Sequence, residues 1–302
     1  MNRCIVVIFV LLNCINNFIY SEKQLIVSYS ILSHNETSTL DNLLDVLVKN
    51  KDIKDEIVVI DDFSTNMETL QILDKYRQNY DVKVHKRALN LDFAQQRNFA
   101  KKTCKGQYIF WIDSDEEPSL YVIKNIRNIL KTNSDGYMLP EIHLISDLPK
   151  DMPGVVVNKK GWVFWPDYHL RIFKNKTEVN WKNPVHEMLE GIVKIEKMPA
   201  EEHYAIIERK SYKKWENSHV FYLNCYKKWI LNELKNNNKK LVKDLLIVNP
   251  HAHLTFLIDS EGLAVLNNYK NSKTIENMIK ELLIKPSILY EEVGKIIDLL
   301  LS

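Results

Sequence analysis

A doubly wound α/β sheet is the fold this chain predicts, on three observations. Short apolar runs alternate with amphipathic runs through the first half, the apolar runs are composed like strands buried on both faces, and two of them end in acidic clusters. Residues 25–32 (LIVSYSIL) read as the first strand. Ser38 or Thr39 is placed to cap a helix that carries Leu40, Leu43, Leu44 and Leu47 on one face. Residues 56–60 (EIVVI) form the second strand, 67–80 a helix, 82–85 a strand, 93–102 a helix and 108–112 (YIFWI) a further buried strand. Strand and helix alternating at this spacing imply right-handed crossovers in a largely parallel sheet. Residues 136–197 read as strands and loops rich in aromatics. From about Tyr204 the pattern turns helical. Trp215, His219, Tyr222, Tyr226 and Trp229 share one helix face, expected to pack on the sheet and alternatively suited to a lipid or aromatic acceptor. Helices are expected near 239–248 and 275–284, and after Pro286.

In an open α/β sheet, ligands sit beyond the carboxyl ends of the strands. Asp61-Asp62 and Asp113-Ser114-Asp115 both lie at such ends. Two carboxylates one residue apart can share a hard divalent cation, Mg²⁺ or Mn²⁺, which in turn bridges phosphates. Asp-x-Asp alone is common in turns; its place after a buried strand, with Glu116 and Glu117 following, makes a cation site the better reading. Asp61 and Asp62 can accept hydrogen bonds from a base or ribose, or one of them can cap the next helix. Arg97, on an early helical turn, can reach a phosphate or simply pair at the surface.

These residues carry a resemblance. EIVVIDDFST, followed by AQQRNFAKKTCKGQYIFWIDSDEEP, resembles the family 2 glycosyltransferases with the GT-A fold, a Rossmann-like nucleotide-diphospho-sugar transferase sheet. Asn35-Glu36 after the first strand also fits the family. Trp165-Pro166-Asp167, Arg171-Ile172-Phe173, Trp181 and Val185-His186-Glu187 resemble the bacterial lipopolysaccharide-core β-glucosyltransferases within it. One departure is Asn66, where the family often has Asp; Asn can cap a helix equally well. The resemblance covers about residues 24–205. It implies a UDP-sugar donor, Mn²⁺ or Mg²⁺, and inversion at the anomeric carbon with a carboxylate base, for which Glu187 and Asp167 are the candidates. It further implies donor contacts from Asn35, Glu36, Asp61, Asp62, Arg97, Asp113 and Arg171, and metal contacts from Asp113, Asp115 and His186. His203 falls where relatives often carry a histidine. The acceptor is left open among glycan, lipid and protein.

The remaining features bound the answer. A chain with 45% hydrophobic and 26% charged residues buries a substantial core. A formal net charge of +2 makes no case for nucleic acid, and no nucleic-acid partner is expected. The aromatic helix face leaves room for peripheral membrane contact. Of the 4 cysteines, none forms a CxxC pair, so a structural zinc site is not expected. Arg3 followed by a short apolar core, interrupted by Asn13, Asn16 and Asn17, resembles a signal peptide. The predicted organisation is therefore 1–21 signal peptide or short anchor, 22–205 GT-A domain and 206–302 helical region, with a secretory or extracytoplasmic location, or else a cytoplasmic or membrane-associated one. Asn35-Glu36-Thr37 and Asn175-Lys176-Thr177 are glycosylation sequons, of which the second is the better placed for modification. Two other classes compete. A sugar nucleotidyltransferase would need a glycine-rich loop where Ser33-His34-Asn35-Glu36 stands, and no GxGxxG supports an oxidoreductase. A non-catalytic GT-A module that binds a glycan or partner is the third possibility.

Overall fold

The computed structural model describes residues 25–236 except 151 and 153, and beyond them 238, 240–242, 245, 260–267, 271–284, 295 and 299. The expected signal segment, the helix after Pro286 and most of the one near 239–248 fall outside the described residues.

The chain runs β1 (Val27–Ser33), α1 (Ser38–Asn50), β2 (Glu56–Asp61), α2 (Met67–Asn79), β3 (Lys83–Lys86), α3 (Phe93–Thr103), β4 (Tyr108–Asp113), β5 (Glu116–Pro118) and α4 (Leu120–Ile129). It continues through β6 (Gly136–Ser146), β7 (Val163–Lys174), β8 (Asn180–Lys182), β9 (Met188–Glu190), β10 (Ile195–Lys197) and β11 (Ile206–Ser211). Among the described residues, the helices α5 (Tyr212–Lys235), α6 (Ser260–Leu266) and α7 (Ser272–Ile284) follow. The nine-stranded sheet has the order β3-β2-β1-β4-β7-β6-β11-β5, with β10 attached to β6. Strands β3, β2, β1 and β4 are mutually parallel, and β7 joins β4 antiparallel.

Alternation along the strands divides the core in two. Val27, Tyr29, Ile31, Ile57 and Val59 face α1, α2 and α4, whereas Val58, Ile60 and Ile109 face Ala94 and Ala100 of α3 and Trp181 of β8. Leu40, Leu43, Leu44 and Leu47, all at most 1% exposed, weld α1 to the first layer. Each such burial contributes about 1.5–3 kcal/mol.

Neither Ser38 nor Thr39 caps α1. Thr37 holds the cap position without a side-chain bond to the helix, and Thr39 Oγ1 turns back to donate to Glu36 Oε2 at 2.9 Å. Nor does either aspartate of the 61–62 pair cap α2. Asn66 does so, accepting from Glu68 N and Thr69 N.

The strand Ile206–Ser211 lies inside the stretch expected to be helical. It belongs to the sheet, parallel to β6 and antiparallel to β5. The aromatic stripe of α5 also departs from expectation, since it does not cover the sheet. The helix leaves β11 and passes beside α3, so Tyr222 packs on Phe93 (5.8 Å between ring centres), and Trp229 is buried among Val185, Cys225, Val265 and Ile275.

The chain order reverses direction at β1. The path from β1 to β2 and β3 goes to one side, and β4 then returns to the other. The switch point, where a crevice opens at the carboxyl ends of the strands, therefore lies between β1 and β4.

Candidate active site

Register places the two acidic clusters side by side. Ser33 is level with Asp61 across β1 and β2, and Leu32 is level with Asp113 across β1 and β4. The ladder extends one residue further on each side, with Asp62 N donating to Ser33 O at 2.9 Å and Ser114 N to Leu32 O at 3.2 Å. A cleft of about 460 Å³ opens there. Its walls include Ser33, Glu36, Asp62, Asp113, Asp115 and, from the far side, Glu208, Lys210, Lys214, Phe221 and Tyr222.

The aspartates of the pair at β2 divide their work. Asp61 is fully buried and braces the loop, with Oδ1 accepting from Ser64 N at 3.1 Å; its Oδ2 has no hydrogen-bond partner among the described residues. Asp62 lines the cleft and steadies the loop before α3, accepting from Leu89 N at 2.8 Å. Asn35, in the left-handed region at φ 52, clamps the two loops together: its Oδ1 accepts from Thr65 N (2.8 Å) and Asn66 N (2.9 Å). Asn35 and Asp61 thus shape the wall, whereas Glu36 and Asp62 are on it.

Arg97 lies at the centre of the acidic groups and is only 7% exposed. Its Nε donates to Glu187 Oε1 at 2.6 Å, and its Nη2 reaches Asp113 Oδ1 and Oδ2 at 3.2 and 3.3 Å. The guanidinium rests 3.9 Å above the ring of Trp111. Arg171 lies 3.7 Å from the same ring. It is 2% exposed, bonding Glu116 through two nitrogens (2.9 and 2.5 Å) and Glu141 through Nε (2.6 Å). Glu116 in turn accepts from Asp113 N at 2.8 Å. The expectation that Arg171 meets the donor is not matched by this placement: its donors are spent on buried carboxylates, and it acts on the site only through Glu116. Burial drives the Glu116 carboxyl well above the usual range, against the pull of Arg171.

The two candidate bases sit in different surroundings. Glu187 is tied to Asp113 through Arg97. Asp167 is held well below the usual carboxylate range by hydrogen bonds from His143 and His169, which outweigh its partial burial. His143 links it onward, with Nε2 at 3.2 Å from Asp167 and Nδ1 at 2.8 Å from Glu208. Burial opposes a charge on His143, yet these bonds win and push its pKa up to about 10.

A divalent cation has a partial set of ligands here. Asp113 and Asp115 share the cleft. Burial first, and Glu208 second, hold the Asp115 carboxyl above the usual range, against the pull of Lys214. Two such oxygens suit Mg²⁺ or Mn²⁺ with phosphate and water completing the shell. His186 is not brought to them. It adopts φ 48 and its ring lies 5.4 Å from that of Tyr226 on α5. Among the described residues no three His, Cys, Asp or Glu side chains converge on one metal position. His203 is also elsewhere, packed on Tyr121 at 4.5 Å.

Sequence reasoning missed Glu208, Lys210, Lys214 and the inward turn of Tyr222. The first two follow from reading β11 as helix; Lys214 and Tyr222 lie on a helix the pattern does show, but the direction in which that helix leaves the sheet is not local information.

Comparison with known proteins adds the family. The family model for Glycosyl transferase family 2 matches residues 28–215. A poly(ribitol-phosphate) β-N-acetylglucosaminyltransferase, TarS of Staphylococcus aureus, is 33% identical over 115 residues, which are 37% of this chain and 20% of that protein. A poly(ribitol-phosphate) β-glucosyltransferase of Bacillus spizizenii is 32% identical over 132 residues, 42% of this chain and 21% of that protein. The match thus spans about a fifth of the length of these relatives. Among solved structures, S. aureus TarS 1–349 in complex with UDP-GlcNAc covers 92% of this chain and 89% of its own, at 16% identity and a TM-score of 0.47. The family model takes in the sheet from β1 to β11 with the acidic clusters at its switch point, and this chain belongs to glycosyl transferase family 2.

Proposed function

We propose that the protein transfers a sugar from a nucleotide-sugar, with UDP as the nucleotide, to a glycan, lipid or protein acceptor, with inversion. The observation that carries this reading is the cleft at the β1/β4 switch point, where Asp62, Asp113 and Asp115 stand together at the ends of parallel strands. Asp62 is placed for ribose or base, and Asp113 and Asp115 for the diphosphate. When bound, a divalent ion at Asp113 and Asp115 neutralises charge on the departing nucleoside diphosphate. Glu187 takes the proton of the acceptor hydroxyl, and Arg97 sets its position. Phe221 and Tyr222 supply an aromatic wall to the cleft. The family relatives support a donor of this class. Trp165-Pro166-Asp167 and Val185-His186-Glu187 favour the lipopolysaccharide-core β-glucosyltransferase subgroup, although the relatives described above act on poly(ribitol-phosphate).

The test is a screen of UDP-sugars for UDP release with Mn²⁺ and with EDTA, on the natural chain and on Asp115→Ala. Release that depends on Mn²⁺ and falls at least about a hundredfold in Asp115→Ala is expected. A chain that binds UDP-sugars but never turns them over favours the non-catalytic module instead. Undiminished turnover in Asp115→Ala at limiting metal overturns the metal assignment.

A further inference from the structure

The walls of the cleft are unequal in charge. Glu36, Asp62, Asp113, Asp115 and Glu208 all line it, against two lysines, Lys210 and Lys214. Lys210 is paired with Glu208, on its own strand. Lys214 instead reaches across from the first turn of α5 to the opposite walls. Its Nζ donates to Glu36 Oε1 at 2.6 Å and lies 3.3 Å from Asp115 Oδ2. Its backbone is fixed, because Ser211 caps α5 by accepting from Lys214 N at 3.1 Å. The ammonium therefore bridges the loop after β1 and the loop after β4. It occupies the position beside Asp115 where positive charge is needed.

An ammonium on a four-carbon stem is a mobile point charge. A diphosphate entering this cleft carries negative charge into a site already rich in carboxylates, so it needs every cation the walls can offer. A divalent ion on Asp115 would compete with Lys214 for the same oxygen. The ammonium it releases would stand within a side chain's swing of any phosphate bound to that ion.

We propose that Lys214 is a diphosphate-binding residue that also stands in for the divalent cation at Asp115, so that UDP binds this protein measurably without metal. The proposal rests on the donor reading above and extends it to a residue outside the acidic motifs. Two consequences follow, and neither needs turnover. Removing the ammonium weakens metal-free UDP binding, and it frees Asp115 for a metal.

The experiment uses the full chain and two probes, UDP and Mn²⁺, read by calorimetry and by the paramagnetic resonance of free Mn²⁺. Wild type, Lys214→Met, Lys214→Arg and the neighbouring Lys213→Met are compared. Lys214 is 40% exposed at its side chain, so Met is tolerated there, and thermal melts verify folding. UDP affinity in EDTA is expected to fall about tenfold or more in Lys214→Met, to persist in Lys214→Arg and to be unchanged in Lys213→Met. Mn²⁺ binding without UDP is expected to tighten roughly tenfold in Lys214→Met. Equal metal-free UDP affinity in wild type and Lys214→Met overturns the proposal, as does unchanged Mn²⁺ affinity. Tight UDP binding with Mn²⁺ but none in EDTA overturns it too and leaves the donor reading standing. Failure to bind UDP under any condition removes the donor reading itself, and the Mn²⁺ arm then shows whether Lys214 guards Asp115.

Discussion

At Arg97 a single guanidinium connects Glu187, the proposed base, to Asp113, one of the proposed metal carboxylates, with Trp111 beneath it. This geometry separates the two candidate bases. A carboxylate that accepts hydrogen bonds from two histidines, as Asp167 does, has little affinity for a further proton. Among the described residues Glu187 has one ion-pair partner, Arg97, and it shares that partner with Asp113. Glu187→Gln keeps the acceptor oxygen that meets Arg97 and removes only the proton-accepting role. Transfer is expected to fall by about 10²–10⁴-fold, with UDP affinity within about threefold of wild type. Asp167→Asn is expected to retain transfer within about tenfold. Single-turnover assays beside UDP titrations decide it: the opposite pattern makes Asp167 the base.

Among the elements, what the sequence shows most plainly is what a single strand can carry by itself. Residues 57–60 (IVVI) and 108–112 (YIFWI) are apolar without a break and then turn acidic, so both the burial of β2 and β4 and the placing of Asp62 and Asp113 at their ends can be read residue by residue. Asn66 is legible as a helix cap for the same local reason. The half of the sheet beyond β4 is not legible. β6 and β7 pair with register shifts at Tyr137/Met138 and Glu141/His143, and β11 finds β6 from some sixty residues away. No local pattern encodes such pairings. The brace between β1 and α4 is also non-local. Asp55, 4% exposed, accepts from Val27 N at 2.8 Å and from Arg127 at 2.6 and 2.5 Å. Asp55→Ala leaves both donors without their acceptor at the start of the central strand. Its cost is expected to be about 2–4 kcal/mol, discounted for the partial exposure of Arg127. Urea denaturation measures it. A loss under about 0.5 kcal/mol, the usual scatter of surface substitutions, contradicts the assigned role.

For the whole molecule the open matter is compartment, and three features bear on it. Cys104 and Cys225 are free and buried in separate clusters, and burial pushes their thiols up to about 12 and about 11, so both are unreactive in either redox setting. Neither sequon offers a free amide. Asn175 Nδ2 donates to Cys104 O (3.2 Å) and Gly106 O (3.1 Å). Asn35 is locked between two loops. The N-terminal sequence, with Arg3 ahead of a short apolar core, still favours export. An apolar stretch of about 20 residues is what a spanning helix needs, and three asparagines break this one before that length. We therefore expect the chain to enter a secretory route, to lose about its first 21 residues and to carry no N-linked glycan when made in a eukaryotic host. Mass spectrometry of the purified protein reads all three. An intact Met1 on a cytosolic chain refutes entry, and an intact Met1 on a membrane-bound chain makes the segment an anchor. A glycan mass on Asn175 means that its bonds to Cys104 and Gly106 form only after modification, or not at all.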